Sequence, residues 1–462
     1  MNTTDSTIST SGAETISTSG SATSPQGPSS PATDPTAAAR LADIAKVTNI
    51  AREAPSPAKP KPVDPSTLYP GGKTYYVFLV SYLVLLSAFG SFVNDMYLPS
   101  LPEMKRFFAT TVSEVQLGLT TGMIGLAVGQ LLLGPLSDRY GRKPVLIISM
   151  LIFIGGAVAS VYSPSIQAFL GWRFVQGLGA SGAYFLARTV PADIYGGRAL
   201  AKIMALVGAI NGFAPASAPV LGGFLAGTIH WQGIFWVLSG FAAVLIVICF
   251  FFKETLPADK RIKGRLLDVF REYMPLLRNK PFMTHVMLKG VALGLLFAYT
   301  SSAPFIIQDV YHYSQLDFGL FMGFNALFAA LGSVIALRFK VLKDAAWVGG
   351  WVLMISTVVE ALALFFVHDF WAYEIGMLPL IFSLGMIFTV GNTLAMNEGR
   401  SNAGAASAIL GIGGYVFGGI VSPIVGLGDL LHSTAIVFLV MGFLTLVCSY
   451  GTRRIAPDLD GM

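Results

Sequence analysis

Asp95, in the stretch FVNDMYLPSLP (Phe92–Pro102), is the first residue whose type and place suggest chemistry. It follows an apolar run that begins near Tyr75, so a carboxylate stands inside what reads as a membrane helix. In a low-dielectric cavity such a group can exchange a proton near neutral pH, and its ionised form attracts a cation. The other reading is a structural cap near the outer end of the helix. Arg173, in GWRFVQGLGASGA, shares a helical face with Gly177 and Ala180 by i, i+4, i+7 spacing. A guanidinium within a span costs about 2.5–3.5 kcal/mol on insertion scales and must face a partner or water. A purely structural ion pair is the plain reading. Glu360 sits in the middle of a later apolar segment and is a possible second carboxylate site, whereas Lys289, near the start of its segment, is expected to snorkel to the headgroups. Asn94, Gln176, Asn211, Asn325 and Asn392, with the aromatic Tyr97, Tyr184, Phe297 and Tyr299, are candidates to line a substrate cavity. Each could equally be glue between helices. The sequence contains no HExxH, no phosphate-cradling glycine loop with lysine and no nucleophile triad, which argues against an enzyme and against ATP-driven transport. No metal and no cofactor are expected.

The elements that must hold these residues are transmembrane helices. Of 462 residues, 54% are hydrophobic and only 12% charged, against about a quarter charged in soluble domains. The net charge of +5 is explained by cationic loops on an anionic leaflet and requires no nucleic acid. Residues 1–72 are rich in Ser, Thr, Ala and Pro, and are expected to form a disordered cytoplasmic tail without a signal peptide. Twelve stretches are long enough to span a bilayer: 74–98, 113–133, 144–162, 166–187, 200–227, 232–252, 284–307, 317–338, 345–367, 372–396, 403–427 and 433–452. The longest polar interruption, Lys253–Lys280, is basic with an amphipathic Leu/Phe/Met face and lies between the sixth and seventh. The expected organisation is therefore an N-terminal bundle at 73–252, a cytoplasmic linker at 253–282, a C-terminal bundle at 283–453 and a tail at 454–462. Of the 30 Lys and Arg residues, only Lys105 and Arg106 fall in odd-numbered loops, which places both termini in the cytoplasm. Cys249 and Cys448 read as inert buried thiols.

The second loop, GPLSDRYGRKP, resembles the loop 2–3 signature of the major facilitator superfamily through Gly134, Asp138, Arg139, Gly141, Arg142 and Lys143. In that family the loop is a latch between the two halves in the outward-open state, and Asp193 resembles its acidic partner. The arginine often found before that aspartate is replaced by Ala192. Arg173, Gln176 and Gly177 resemble the family's Arg-x2-Gln-Gly motif, in which the arginine lines the cavity and assists proton coupling. The fifth segment, GAINGFAPASAPVLGGFLAG, has Pro215 and Pro219 one turn apart. Through Pro219, Gly222 and Gly223 it resembles the Gly-Pro-x2-Gly-Gly antiporter signature, with Ala218 in place of the first glycine. That motif implies export in exchange for ions. With DMYLPSLP and FAYTSSAPFII (Phe297–Ile307), the chain from about 75 to 450 resembles the bicyclomycin-resistance (Bcr/CflA) branch of drug:proton antiporters.

These readings lead to an all-α membrane protein with twelve transmembrane helices in two six-helix bundles around a midplane cavity, working by alternating access. The resemblance implies export of small toxic compounds, amphipathic or cationic, in exchange for protons, by a monomer in the bacterial inner membrane. An exporter of one metabolite and a non-transporting receptor or sensor on the same fold are the alternatives, with an uptake symporter, disfavoured by the fifth-helix signature, as a third.

Overall fold

The computed structural model describes residues 72–195, 197–257, 259, 261, 273–400 and 403–455. The expected N-terminal tail up to residue 71 and the linker residues 258, 260 and 262–272 lie outside the described residues. The long helices are α1 (Gly72–Asp95), α2 (Val112–Tyr140), α3 (Arg142–Val161) and α4 (Ile166–Ile194), then a continuous element Gly197–Phe251. That element is broken at His230 (φ 60, ψ 176), which separates α5 (197–229) from α6 (231–251). The second half has α7 (Lys280–Phe305), α8 (Gln315–Ala336), α9 (Leu342–Leu362), α10 (Phe370–Glu398), α11 (Ala403–Ile424) and α12 (Leu430–Ile455). All twelve expected segments are therefore helices, and among the described residues there is no strand.

Their boundaries follow from local chemistry. Side-chain oxygens of Thr111, Ser165, Asn279 and Asp369 accept from the first-turn N–H groups of α2, α4, α7 and α10. Ser314 and Asp317 form a reciprocal capping box at the start of α8. Such caps are worth about 1 kcal/mol each. Gly141 ends α2 at φ 103, a conformation costly for a side chain with a Cβ, so the signature loop turns there. α1 stops at Asp95, and after a turn the chain continues through the 3₁₀ turn Leu98–Ser100 into a short helix, Leu101–Phe107.

Ten of the helical stretches are long and apolar enough to cross a membrane on those grounds alone, one of them covering α5 and α6 together. α4 is as long but too polar, because it carries Arg173, Gln176 and Arg188; it is buried against α2, α3 and α1 instead. Outward faces carry large apolar side chains such as Ile148, Phe251 and Phe366, as lipid-facing helices require. In the first half α2 and α3 pack on α4, and α1 and α3 pack on the α5–α6 element. In the second, α7 packs on α10, α11 and α12, α8 on α10, and α9 on α10 and α12. The halves meet along two seams, α2 with α11 and the α5–α6 element with α8. A shift of six helices exchanges these seams, the signature of an internally repeated membrane fold. The linker's expected amphipathic helix is represented by the six-residue Tyr273–Arg278, which buries Leu276 and exposes Met274 and Leu277.

Candidate functional site

A cavity of about 360 Å³ lies between the halves, walled by α1, α4, α5, α7, α8, α10 and α11. Most of its wall is apolar or aromatic, including Leu296, Phe297, Met322, Phe388 and Tyr415. Convergent polar groups come from Asn94, Asp95, Thr300 and Asn325. A mostly apolar cavity with few fixed polar groups is the usual form of a small-molecule site. Pro215 and Pro219 of α5 also line it, together with Tyr184 and Tyr299. Five of the expected cavity residues, Asn94, Tyr184, Phe297, Tyr299 and Asn325, thus line it, together with Asp95.

Others are elsewhere. Tyr97 and Gln176 are fully buried inside the first half and do not face this cavity. Tyr97 follows the end of α1, so it points away from its near neighbour Asp95 into the aromatic packing around Phe235. Asn392 accepts from Lys289 Nζ at 3.0 Å and is not on the cavity wall. Lys289 is therefore tied inward rather than snorkelling. The side chain of Asn211 lies outside the described residues.

Arg173 is 1% exposed and makes no ion pair with Asp95. Its Nε donates to the Gly118 carbonyl at 3.3 Å, its Nη1 donates to Gln176 Oε1, and its guanidinium stacks 4.3 Å from the Tyr97 ring centroid. Tyr97 is the link, within electrostatic reach of both Arg173 and Asp95. The expected direct coupling partner is thus a buried neighbour one residue removed.

The signature loop has Arg142 at its centre. Its Nε and Nη2 donate to the two Asp193 oxygens at 2.8 and 3.2 Å, while Nη1 donates to Asp138 Oδ1 at 2.5 Å and Ser137 Oγ at 2.6 Å. Fork-to-carboxylate pairing of this kind suits an arginine that is 4% exposed. No arginine at Ala192 is needed to connect Asp138 with Asp193. Glu254, just after α6, accepts from the Arg142 and Lys143 backbone N–H groups at 2.9 and 3.1 Å. Lys143 Nζ donates to the carbonyls of Phe250 and Phe252. Gly134 packs on the Phe185 ring, and Arg139 is exposed beside Tyr140. The network binds α2, α3, α4 and the first residues after α6 to one another.

The opposite end is where the halves touch. Lys105 and Arg106 face Asp309 at 3.6 and 3.4 Å, Gln308 Nε2 donates to the Pro99 carbonyl at 2.9 Å, and Gln116 Nε2 to that of Ser301 at 2.9 Å. The antiporter motif supplies the close approach: the Gln315 backbone carbonyl occupies the space a Cβ on Gly223 would need, and the Met96 carbonyl that of Gly222.

Sequence reasoning missed Arg188, Glu254 and Glu374. Arg188 lies just past the expected fourth segment at 166–187, but α4 runs on to Ile194, and its guanidinium stacks 4.3 Å from the Tyr184 ring centroid. Glu254 carried a signal, being the first carboxylate after the sixth segment. Glu374 stands one turn inside the tenth segment, and only its partners, described below, distinguish it from an interfacial residue.

A lumen between two six-helix halves, with a carboxyl on its wall, is the architecture of a membrane transporter. The sequence profile of the Major Facilitator Superfamily matches residues 83–423, and the chain belongs to that family. It is 36% identical to the MFS-type transporter YdgK of Bacillus subtilis over 79% of this chain and 92% of that protein. It is 29% identical to a bicyclomycin resistance protein homolog of Haemophilus influenzae, covering 76% and 89% of the two chains. A chloramphenicol resistance protein of Pseudomonas aeruginosa is also 29% identical, covering 76% and 84%. Among solved structures, a bacterial homolog of the lysosomal transporter Spinster superposes with a TM-score of 0.67 at 15% identity, over 84% of this chain and all of the other. The xylose transporter XylE of E. coli superposes at 0.66 with 13% identity, over the same share of this chain. At such identities these two speak for the fold.

Proposed function

We propose that this transporter exports small toxic compounds, amphipathic or cationic, in exchange for protons. The observation that carries the reading is Asp95, a carboxyl on the wall of a mostly apolar and aromatic cavity between the halves. A single carboxyl that holds either a proton or a cationic group suffices for antiport, because loading one releases the other. Aromatic rings at Tyr184, Phe297 and Tyr299 add cation–π and stacking surface for flat amphipathic molecules. The drug-resistance relatives and the fifth-helix motif support the same direction of transport. The Lys/Arg distribution favours cytoplasmic termini in a bacterial inner membrane. One net charge moved across about 100 mV is worth about 2.3 kcal/mol. At about 1.4 kcal/mol per tenfold, that sustains a concentration gradient of a few tens-fold.

The test is growth of a host without its own efflux pumps across a panel of antibiotics and dyes, with wild type and Asp95→Asn at equal expression. Wild-type resistance that disappears in the variant is the expected result. Resistance that survives in the variant removes Asp95 from the coupling step. Absence of resistance in both points to export of a dedicated metabolite.

A further inference from the structure

The second half contains two carboxyls that the scheme above does not use. Glu360 of α9 is fully buried, and neither of its oxygens has a hydrogen-bond partner. Its charged neighbour is Glu374 of α10, which is 4% exposed. Glu360 Oε2 occupies the space that a Cβ on Gly376 would fill, so the carboxyl is pressed against α10, two residues from Glu374. Among the described residues no Lys, Arg or His makes an ion pair with either. The nearest histidine on the neighbouring α12, His432, is held by Asp429 at 2.5 Å.

What surrounds the pair is a set of uncharged, proton-bearing groups. Asn325 Nδ2 donates both to Glu374 Oε1 at 2.9 Å and to the Tyr299 hydroxyl at 2.8 Å. The Tyr373 hydroxyl, fully buried and without a partner, lies within electrostatic reach of Glu360, Glu374, Tyr299 and Tyr311. Tyr311 lies just beyond α7, and burial, then Glu360 and Asp369, hold its phenol above the ordinary range. Asn325 and Tyr299 are also on the cavity wall. Two acids thus sit buried with no ion-pair partner among the described residues, one residue away from the substrate space. Two negative charges held there together would face both mutual repulsion and desolvation, and a proton removes one of them. It also supplies a donor for the orphaned oxygens.

We propose that Glu360 and Glu374 form a second proton-binding site, with Asn325 as the gate between it and the cavity. When Asn325 turns aside, a hydronium in the cavity gives its proton to Glu374 Oε1; the carboxylate becomes a carboxyl and the hydronium becomes water. Passage on to Glu360 moves the same proton between two carboxyls, with no net change in charge. In an antiport cycle, which rests on the efflux reading, this site adds a proton to the one carried by Asp95. The site itself does not rest on that reading.

The experiment therefore uses no substrate. Infrared difference spectra between acid and alkaline buffer are recorded on the purified full-length chain as wild type, Asp95→Asn, Glu360→Gln/Glu374→Gln and Gly376→Ala. The pH-dependent carboxyl C=O band is expected to have two parts, one removed by Asp95→Asn and the other by the double glutamine variant. Gly376→Ala, which displaces the Glu360 carboxyl, is expected to shift the midpoint of the second part and leave the first. A band unchanged in the double variant means the pair keeps a fixed proton as a structural link, and overturns the proposal. Should the double variant fail to fold, Glu374→Gln alone decides in the same way. Loss of drug resistance as a property of the wild type would leave these spectra as they are.

Discussion

Arg173 is a buried cation held without a carboxylate, with its Nη2 left without a hydrogen-bond partner. Its partners are a backbone carbonyl on α2, a glutamine oxygen one turn along α4, and the face of Tyr97. A desolvated cation–π contact is worth about 2 kcal/mol, and a hydrogen bond to a charged group about 1.5–3 kcal/mol. Lysine has the charge but neither the planar fork nor the stacking face. Arg173→Lys is therefore expected to destabilise the folded chain by about 1–3 kcal/mol, read as a lower unfolding temperature in detergent. Tyr97→Phe retains the ring face that stacks on the guanidinium, so its melting temperature should stay closer to wild type than that of Arg173→Lys. Equal melting temperatures for Arg173→Lys and wild type would show that the guanidinium geometry is not needed for the fold.

At the scale of the helices, the α5–α8 seam is one of the two along which the halves meet, and it is expected to close the cavity on the Asp309 side. Gly223 lets the Gln315 carbonyl approach α5, and Gly319 does the same for the Pro219 carbonyl against α8. A valine at Gly223 wedges the seam. The ion pairs of Asp309 with Lys105 and Arg106 add less, since all three side chains are partly exposed and such pairs contribute about 0.2–1 kcal/mol. With Asn94→Cys in a background lacking Cys249 and Cys448, a membrane-impermeant thiol reagent added on the Asp309 side should label Gly223→Val faster than the parent. Asp309→Asn should accelerate labelling by about two- to fivefold, since about 1 kcal/mol corresponds to a factor of about five. Unchanged rates in both variants would remove this seam as the closure. The Arg142 network at the other end stays within the first half and the residues just after α6, so it stiffens α2, α3 and α4 as one body.

For the whole molecule, orientation follows from charge. Lys105 and Arg106, the basic residues of the odd-numbered loops, lie beside Asp309 at the end where the halves touch. That end is expected to face outward, leaving Gly141 and both termini on the cytoplasmic side. A C-terminal green fluorescent protein fusion should glow, and a C-terminal alkaline phosphatase fusion should be inactive; the reverse pattern would invert the topology. The twelve spans and the signature loop were legible because length, hydropathy and glycine spacing act locally. α4 was legible in outline but not in extent, since burial against three helices sustains it past Ala187 to Ile194 despite Arg188. The sequence by itself determined that this chain enters a membrane twelve times, carries Asp95 and Arg173 within it, and turns at Gly141. Only the tertiary structure decided that Asp95 faces the lumen while Tyr97, two residues on, faces Arg173, because α1 ends between them. It alone also brought Glu374 to Glu360 and Asn325, groups on three helices whose meeting depends on how each helix is rotated about its axis, which no local pattern specifies.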